Sequence, residues 1–358
     1  MRKLFITLLI LTSLTVTAQP FRGVWLTNVA SDALSSREKI KETVDVCSRS
    51  GINTIFMVVW NKGYTMYPSE VMQKEFGIAI DPAFKGRDPL QELIEEAAKK
   101  KIAVHAWFEF GFAASYDSAG MHILQKHPSW AALNKDGKPV VKNHFHWMNA
   151  FDPQVQQFIS SLVMEVVKKY KVAGVQGDDR LPAQPSEAGY DTYTIGLYKK
   201  EHNNATPPLN TKDSAWVNWR ADKLTAFLRK LYTSVKAVKP TMLVTSAPSV
   251  HPWAKEEYLQ DWPVWLQSGI ADYVFVQLYR YNFPAYEQVL KAMVQQAGNK
   301  KDKVYPGVLL SLGDGYVAKD SLLKQMVDAN RKAGIKGEVF FYYEGLKKQK
   351  AFFEQRYK

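Results

Sequence analysis

The sequence lacks most of the features that would assign it at once to a functional class. Cys47 is its only cysteine, so no internal disulfide bond and no cysteine-ligated metal cluster can form. The segment around it, residues 36–49, predicts a helix in which this thiol is buried. No G-x-G-x-x-G follows the first apolar run, and no G-x-S-x-G or Walker A motif occurs. The sequence therefore offers no support for a dinucleotide site, an acyl-hydrolase elbow or a P-loop.

Long apolar runs are almost absent as well. The first residues combine Arg2 and Lys3 with an apolar stretch over 4–16, and the following "VTA" has small residues at which a signal peptidase cuts. This pattern predicts a signal peptide over 1–18 and one mature domain over 19–358. A membrane anchor is the alternative, but the run is shorter than the roughly 20 residues that a spanning helix needs. No lipobox cysteine follows, so we expect a periplasmic or secreted protein without stable membrane insertion after cleavage.

The formal net charge of +12 is not concentrated in any one motif. The lysines are scattered, and no basic stripe with interleaved aromatic residues occurs, so we do not expect nucleic-acid binding. A basic surface could favour an anionic polymer or the cell envelope through long-range attraction. A solvated lysine surface without a partner is the alternative, and the sequence does not indicate an oligomeric state.

The chain does contain a regular alternation of apolar, β-prone runs and helix-like segments. Several runs follow a helix and a glycine or short polar turn, as in "CSRSGINTIFMVVW" and "NRKAGIKGEVFFYY". Strands that alternate with helices predict a parallel sheet, and eight such units predict a single-domain α/β fold, the closed (β/α)8 TIM barrel. An open doubly wound sheet is the alternative. The eight predicted strands span residues 21–27, 52–60, 102–110, 172–179, 242–249, 272–281, 304–312 and 337–344.

Two long insertions follow the third and fourth predicted strands. The first, residues 111–149, contains aromatic residues and a "DG" pair, which predicts an ordered hairpin or lid. The second, residues 180–216, is rich in Pro, Asn and Thr, and we expect it to be more mobile. Both leave the C-terminal ends of strands, where the active sites of TIM barrels lie.

Carboxylates occur where the third, fourth and eighth predicted strands end. In "VHAWFEF" the alternation of a strand puts His105 and Glu109 on one face, so we expect both to point into the barrel mouth. In "VAGVQGDD" it favours Asp178 as the inward carboxylate, with Asp179 as the alternative. Two adjacent carboxylates repel each other unless something uses them, although a helix cap or a salt bridge to Arg180 or Arg220 would also account for one of them. The candidate catalytic residues are Asp178, Asp179, Glu109 and Glu344.

Amides and aromatic rings accompany these acids near the predicted strand ends. Flat apolar rings face the C–H groups of sugars, and amides bond their hydroxyls, so the pattern is typical of a carbohydrate site. The residues predicted to contact a substrate are Asn28, Trp60, His105, Trp107, Trp253, Gln277, Tyr279 and Arg280.

Paired carboxylates at a barrel mouth suit cleavage of a glycosidic bond in a polysaccharide or oligosaccharide. A non-catalytic glycan-binding barrel is the first alternative, since no acid lies on the seventh predicted strand and Asp314 beyond it resembles a turn cap. A metal-dependent deacetylase is the second, but His144-x-His146 has no carboxylate at ligand spacing. We therefore expect neither a metal nor another cofactor.

An ordered set of motifs resembles the glycosyl-hydrolase-like 10 family of bacterial TIM-barrel proteins. The set includes "FRGVWLTNV", "DPLQELIEEAAKKKIAVHAWFEF", "HPSWAALNKDGK", "VAGVQGDDRL" and "DYVFVQLYRY", and it extends over nearly the whole of 19–358. The resemblance implies an exported barrel acting on a polysaccharide, with bacterial cell-wall glycan strands as an associated substrate class, and it points to Asp178 and Asp179. The chain departs from one family pattern, because Glu109-Phe110 follows "HAWF" where many members carry Asn-Pro.

Overall fold

The computed structural model describes residues 19–313 and 315–357, so the predicted signal peptide and Asp314 lie outside the described residues. None of the helices in the described part has the length and apolarity needed to cross a membrane. The strands, in chain order, are β1 (Arg22–Leu26), β2 (Thr54–Val58), β3 (Trp60–Asn61), β4 (Tyr64–Thr65), β5 (Ala103–Phe108), β6 (Ala113–Tyr116), β7 (Val141–Lys142), β8 (Phe145–Trp147), β9 (Gly174–Gly177), β10 (Leu243–Ser246), β11 (Tyr273–Gln277), β12 (Val304–Leu309) and β13 (Glu338–Phe341).

Helices connect most of these strands, and their starting points are encoded locally. Ser36 caps the first helix by accepting a hydrogen bond from the Lys39 amide, and Asp88 and Asp152 cap two helices that begin with proline. The helices are α1 (Arg37–Arg49), α2 (Glu70–Phe76), α3 (Pro89–Lys99), α4 (His122–Lys126), α5 (Pro153–Lys169), α6 (Thr192–Glu201), α7 (Ser214–Val238), α8 (Trp253–Tyr258), α9 (Trp262–Gln267), α10 (Phe283–Ala297), α11 (Asp320–Lys332), α12 (Tyr343–Lys348) and α13 (Lys350–Tyr357).

Eight of the strands close into a parallel barrel in the order β1, β2, β5, β9, β10, β11, β12, β13 and back to β1. The predicted (β/α)8 barrel is thereby confirmed, and each predicted strand corresponds to one barrel strand. The register pairs Trp25 with Phe56 and Trp107 with Gln176. These inward positions are filled by large side chains, so the barrel interior is a packed core and not a pore.

The interior side chains form two layers of rings. In the lower layer, near the N-terminal ends of the strands, the Phe21 ring lies 4.9–6.2 Å from its neighbours. In the upper layer, Trp25 donates a hydrogen bond to Gln176 at 2.7 Å and lies 6.4 Å from the Trp107 ring. Aromatic packing of this kind supports both ends of the barrel. The neighbours of Phe21 are His105, Tyr273, Phe275 and Tyr305.

The two long insertions are both built into the fold. Residues 111–149 contain the antiparallel sheet β6–β8–β7, which confirms the predicted ordered hairpin. The expectation of a mobile second insertion is corrected by its packing. The guanidinium of Arg220, buried on α7, donates hydrogen bonds of 2.6 and 2.7 Å to the carbonyls of Ser186 and Ala188. This contact comes from a distant helix, which composition could not indicate.

Candidate active site

Three carboxyl groups meet where β5 and β9 end. Glu109 directly follows β5, and Asp178 and Asp179 directly follow β9. The two strands are neighbours in the barrel, with Phe108 paired to Gly177, so the next residues leave the sheet side by side. Parallel pairing therefore brings these acids together at the C-terminal mouth of the barrel.

Arg180 lies at the centre of this acid cluster, which we define as Glu109, Asp178 and Asp179. Its guanidinium nitrogens lie 2.9 Å from Asp178 Oδ2, 2.8 Å from Asp179 Oδ1 and 3.8 Å from Glu109 Oε1. Its Nε also donates to the backbone carbonyl of Glu109 at 2.9 Å. One cation thus faces three carboxyl groups, and this imbalance favours retention of a proton within the cluster.

The first long insertion holds Arg180 in position. The guanidinium carbon lies 4.7 Å from the Phe145 ring of β8 and 5.5 Å from the Phe110 ring. The chain turns close to Arg180 at Gly111, where φ is +49° and an added Cβ would lie 2.1 Å from the Arg180 carbonyl oxygen. The next amide, that of Phe112, donates to the same oxygen at 2.9 Å. Gly111 is therefore required both for its left-handed backbone and for this close approach.

Amide side chains orient two of the acids. Asn61 donates to Glu109 Oε2 at 2.6 Å, and the hydroxyl of Thr27 donates to the same oxygen at 3.3 Å. Gln277, the last residue of β11, donates to Asp178 Oδ1 at 2.8 Å. Both oxygens of Asp178 are thus engaged, whereas no residue in 19–313 or 315–357 donates a hydrogen bond to Glu109 Oε1, which faces Arg180 only at 3.8 Å.

Burial and mutual repulsion shift the acidities of the cluster. Burial raises the pKa of Glu109, with the charge of Asp179 in support and the charge of Arg180 opposed. Burial, followed by the charge of Asp179, raises the pKa of Asp178 well above its ordinary value. The pKa of the Tyr279 phenol also rises because of burial and the charges of the three acids, which places this ring beside them.

The three acids differ in how far they reach the solvent. The side chain of Asp178 is 4% exposed, that of Glu109 14% and that of Asp179 29%. Beyond Asp179 lies Tyr258, whose phenol pKa rises to about 12 through burial and the charge of Asp179. The Trp253 ring lies 5.4 Å from Tyr258 and is 46% exposed. These two rings form an aromatic wall that leads from Asp179 to the surface.

Glu344 does not join the acid cluster. Barrel strand β13 ends at Phe341, three residues before the predicted end, so the alternation used for Glu344 does not apply. Glu344 instead lies in the first turn of α12, accepts a hydrogen bond from Ser31 at 2.8 Å and pairs with Lys347 at 2.7 Å.

Three predicted substrate contacts lie in the protein interior. His105 points into the barrel as expected, but it lies in the lower ring layer, away from the mouth, with Phe56 at 4.8 Å. Trp107 is 2% exposed beneath the acids. Trp60 belongs to the β3–β4 hairpin, is fully buried and packs 5.8 Å from Phe158 of α5. The periodicity of a strand gives the face of a residue but not its depth in the barrel.

The other predicted contacts lie at the mouth end. Asn28 and Arg280 are half-buried beyond β1 and β11, and Arg280 has no carboxylate partner among residues 19–313 and 315–357. Within that same part of the chain, no group of three or more His, Cys, Asp and Glu residues has an arrangement that could hold a metal ion. His144 pairs with Asp117 at 2.9 Å on the exposed hairpin.

Sequence reasoning missed the parts played by Asn61 and Tyr258, and it anticipated Arg180 only as a salt-bridge partner of one aspartate, a pairing that the structure confirms. Arg180 follows the paired aspartates directly, so its charge was a usable signal, but its contact with Glu109 needs the barrel register. Asn61 is the last residue of β3 in the β3–β4 hairpin, just beyond the predicted second strand, which had included Trp60 of that hairpin. Tyr258 reaches the site from a helix beyond β10, and no local pattern indicates that placement.

Comparisons with known proteins agree with this architecture. Glycosyl hydrolase DigH of Escherichia coli (strain K12) is 26% identical over 308 residues, which cover 73% of this chain and 66% of DigH. Glycosyl hydrolase YngK of Bacillus subtilis (strain 168) is 23% identical over 328 residues, which cover 80% of this chain and 60% of YngK. The chain therefore spans less than two thirds of the length of either relative.

A solved structure shares the fold at low sequence identity. The glycoside hydrolase domain of PgaB (BpsB) from Bordetella bronchiseptica matches with a TM-score of 0.71 and 14% identity, covering 94% of this chain and 97% of that one. The family described as glycosyl hydrolase-like 10 matches residues 20–321, which is most of the sequence. The chain thus belongs to the glycosyl hydrolase-like 10 family.

Proposed function

We propose that this chain is a glycoside hydrolase in which Glu109 protonates the leaving oxygen and Asp179 is the nucleophile or base. The observation that carries the proposal is the free Oε1 of Glu109, on a carboxyl whose pKa is raised by burial. A general acid must hold its proton near the working pH, and burial provides this. Asp179 is the most exposed acid of the cluster and is therefore the one most open to an anomeric carbon or to water.

The spacing of the acids supports a two-carboxylate reaction. A single guanidinium nitrogen of Arg180 lies 2.9 Å from Asp178 and 3.8 Å from Glu109, so these two carboxyl oxygens are at most about 7 Å apart. Asp179 contacts the other terminal nitrogen of the same guanidinium at 2.8 Å. The three acids thus share one guanidinium, which keeps them close enough for a two-carboxylate reaction, since working pairs in glycosidases lie up to about 9.5 Å apart.

Asp178 has a positioning part in this proposal. Both of its oxygens are engaged by Arg180 and Gln277, and its side chain is almost fully covered. It therefore fixes the guanidinium that in turn sets the charge balance at Glu109 and Asp179. Loss of Asp178 should weaken catalysis less than loss of either acid that contacts the substrate.

We propose a polysaccharide or oligosaccharide as the substrate, with bacterial cell-wall glycan strands as the first candidates. The wall of Tyr258 and Trp253 supports this, because the exposed Trp253 ring, which packs on the largely buried Tyr258, offers an apolar face of the kind that suits sugar rings. The names of the relatives, both glycosyl hydrolases, agree with this substrate class.

The experiment replaces each acid by its amide and measures reducing ends released from defined glycans. Glu109→Gln and Asp179→Asn should each lower kcat by about 10²–10⁴-fold, and Asp178→Asn by less. Glu344→Gln should retain most activity, and Glu287→Gln, an exposed carboxylate on α10, is the matched control. Full activity in both Glu109→Gln and Asp179→Asn would refute the assignment.

A glycan-binding barrel without catalysis is the second candidate. The observation in its favour is that Arg180 engages all three acids, an arrangement that could also serve only to hold the mouth in shape. Binding of a glycan by the purified chain, with no reducing ends released over long incubation, would favour this second function.

We further propose that the protein acts in the periplasm or is secreted. The support is the basic and apolar pattern of residues 1–18, which lie outside the described residues. Sequencing of the mature N-terminus should begin at Gln19, whereas an intact N-terminus after expression in the native host would contradict export by cleavage.

A further inference from the structure

A second cavity opens at the opposite, N-terminal end of the barrel. Its volume is about 640 Å³, which lies within the usual range of small-molecule sites. Its floor is the lower ring layer, including Phe21, Tyr273 and Tyr305, and it lies away from the acid cluster, none of whose residues lines it. Four lysines line its wall: Lys101, Lys301, Lys303 and Lys336.

These four lysines have no carboxylate partner in the described part of the chain. Some lysines elsewhere on the surface pair with a carboxylate, as Lys99 does with Glu96 at 2.7 Å, and others within 19–313 and 315–357, such as Lys200, do not, so the distinctive feature here is that four of them share one cavity. Lys303 instead lies over the Tyr273 ring, with its Nζ 4.7 Å from the ring centre. Asp302 is the one carboxylate among the described lining residues, so the cavity carries a clear excess of positive charge.

His105 supplies a second, independent sign of a ligand. It lines the cavity, is 1% exposed as a residue, and neither of its ring nitrogens has a hydrogen-bond partner in residues 19–313 and 315–357. Nδ1 is buried against Gly174, which leaves Nε2 as the nitrogen for a ligand. A buried polar group without a partner costs stability unless something else satisfies it. Burial lowers the pKa of His105 to about 3, so the ring is neutral and can still donate one hydrogen bond.

We propose that this cavity binds a small anion with at least two negative charges, held by the four lysines and by a hydrogen bond from His105. Ammonium groups act as compact point charges that suit phosphate and carboxylate oxygens alike. The excess of charge favours a multiply charged ligand over a singly charged one. The site is separate from the barrel mouth, so the proposal does not depend on glycan cleavage.

Calorimetric titration of the full chain with inorganic pyrophosphate, citrate and acetate at equal ionic strength tests the proposal. Pyrophosphate or citrate should bind at one site, and acetate at least about tenfold more weakly. Binding by pyrophosphate alone would identify phosphate chemistry, and binding by citrate alone would identify carboxylate chemistry. If neither pyrophosphate nor citrate binds the full chain, the proposal is wrong.

The double variant Lys301→Gln/Lys303→Gln assigns the site. It should weaken binding about tenfold or more, whereas Lys200→Gln should change it less than twofold. Lys200 is exposed on α6 and has no ion pair in the described part of the chain. Equal weakening in Lys200→Gln, or acetate binding as tight as pyrophosphate, would show a nonspecific basic surface and would also overturn the proposal. Circular dichroism and melting curves establish that both variants are folded.

Discussion

At the scale of the residue, Arg180 determines how the candidate site works. It contacts each of the three acids and is itself held by the rings of Phe110 and Phe145. Its charge lowers the pKa of Glu109 against the stronger effect of burial. Burial and the charge of Arg180 therefore shift the pKa of Glu109 in opposite directions, and mutation can change each of them separately.

Activity should fall on the alkaline side of a pH profile as Glu109 loses its proton. Because burial raises the pKa of Glu109, the midpoint of this fall in kcat/KM should lie above about 4.3, the ordinary value for glutamate. Glu109→Gln should lose this limb along with most of the activity. An alkaline limb unchanged in the residual activity of Glu109→Gln would assign the proton to another group.

Removal of the charge at position 180 should shift the same limb upward. Arg180→Met removes the largest cause that lowers the pKa of Glu109 and leaves the hydrogen bonds from Asn61 and Thr27 in place, so this pKa should rise and the alkaline limb should move to higher pH. Arg180→Lys keeps a charge and should restore most of the original midpoint. An equal shift of the alkaline limb in Arg180→Met and Arg180→Lys would show that the shift comes from altered geometry of the site and not from the lost charge.

Single residues show what a sequence can and cannot predict about a site. Strand alternation correctly gave Glu109, Asp178 and Gln277 as mouth residues, because each lies at or next to the end of a barrel strand. The same rule misplaced His105 in depth, and it failed for Glu344, where the strand had already ended. Alternation depends only on the local backbone, whereas depth and partners depend on the neighbouring strands.

At the scale of the element, ion pairs fasten the β6–β8–β7 sheet to the loops after β9 and β10. Lys142 on β7 donates to Glu187 at 2.9 Å and to Glu257 at 2.7 Å, and Lys212 reaches Glu257 at 2.5 Å. Lys142 is largely covered and lies 4.8 Å from the Tyr258 ring. This network joins the sheet that covers Arg180 to the aromatic wall.

Lys142→Met should loosen that sheet. We expect faster amide hydrogen exchange in residues 141–147 and a higher KM for a glycan, because Tyr258 loses its neighbour while the acids stay in place. Lys138→Met, an exposed lysine in the turn that precedes β7, is the matched control because it has no ion pair with any residue of 19–313 or 315–357. The network would have no part in substrate binding if both variants kept the wild-type KM.

The elements themselves were largely predictable. The recurrence of apolar, β-prone runs between helix-like segments gave all eight barrel strands, and several of these runs were also marked by a preceding glycine or short polar turn. The order within the second insertion was not predictable, because it depends on Arg220 from a helix later in the chain. Composition describes a loop alone and cannot include a partner that arrives from elsewhere.

At the scale of the whole molecule, the barrel supports acids whose burial costs stability at neutral pH. Glu109 has a raised pKa in the folded chain, so the folded state holds a proton that the unfolded state has already released. Stability from this group is therefore present at low pH and is lost as the pH rises through the raised pKa. A cost of this kind is expected if, as proposed, the site is selected for reactivity at the expense of stability.

Glu109→Gln should accordingly gain stability relative to wild type as the pH increases. The difference in Tm between the variant and wild type should be larger at about pH 8 than at about pH 5, since only wild type carries the buried charge. Glu287→Gln, exposed on α10, should show no such change between the two pH values. A difference in Tm that shrinks with pH would contradict the raised pKa of Glu109.

One paired measurement tests directly whether the acid cluster cleaves glycosidic bonds. Binding and release of reducing ends are followed for wild type and Glu109→Gln with the same cell-wall glycan strands. We expect both proteins to bind the glycan with similar affinity, and only wild type to release reducing ends at an appreciable rate. Equal release by the two proteins, or binding by wild type without any release, would contradict this expectation.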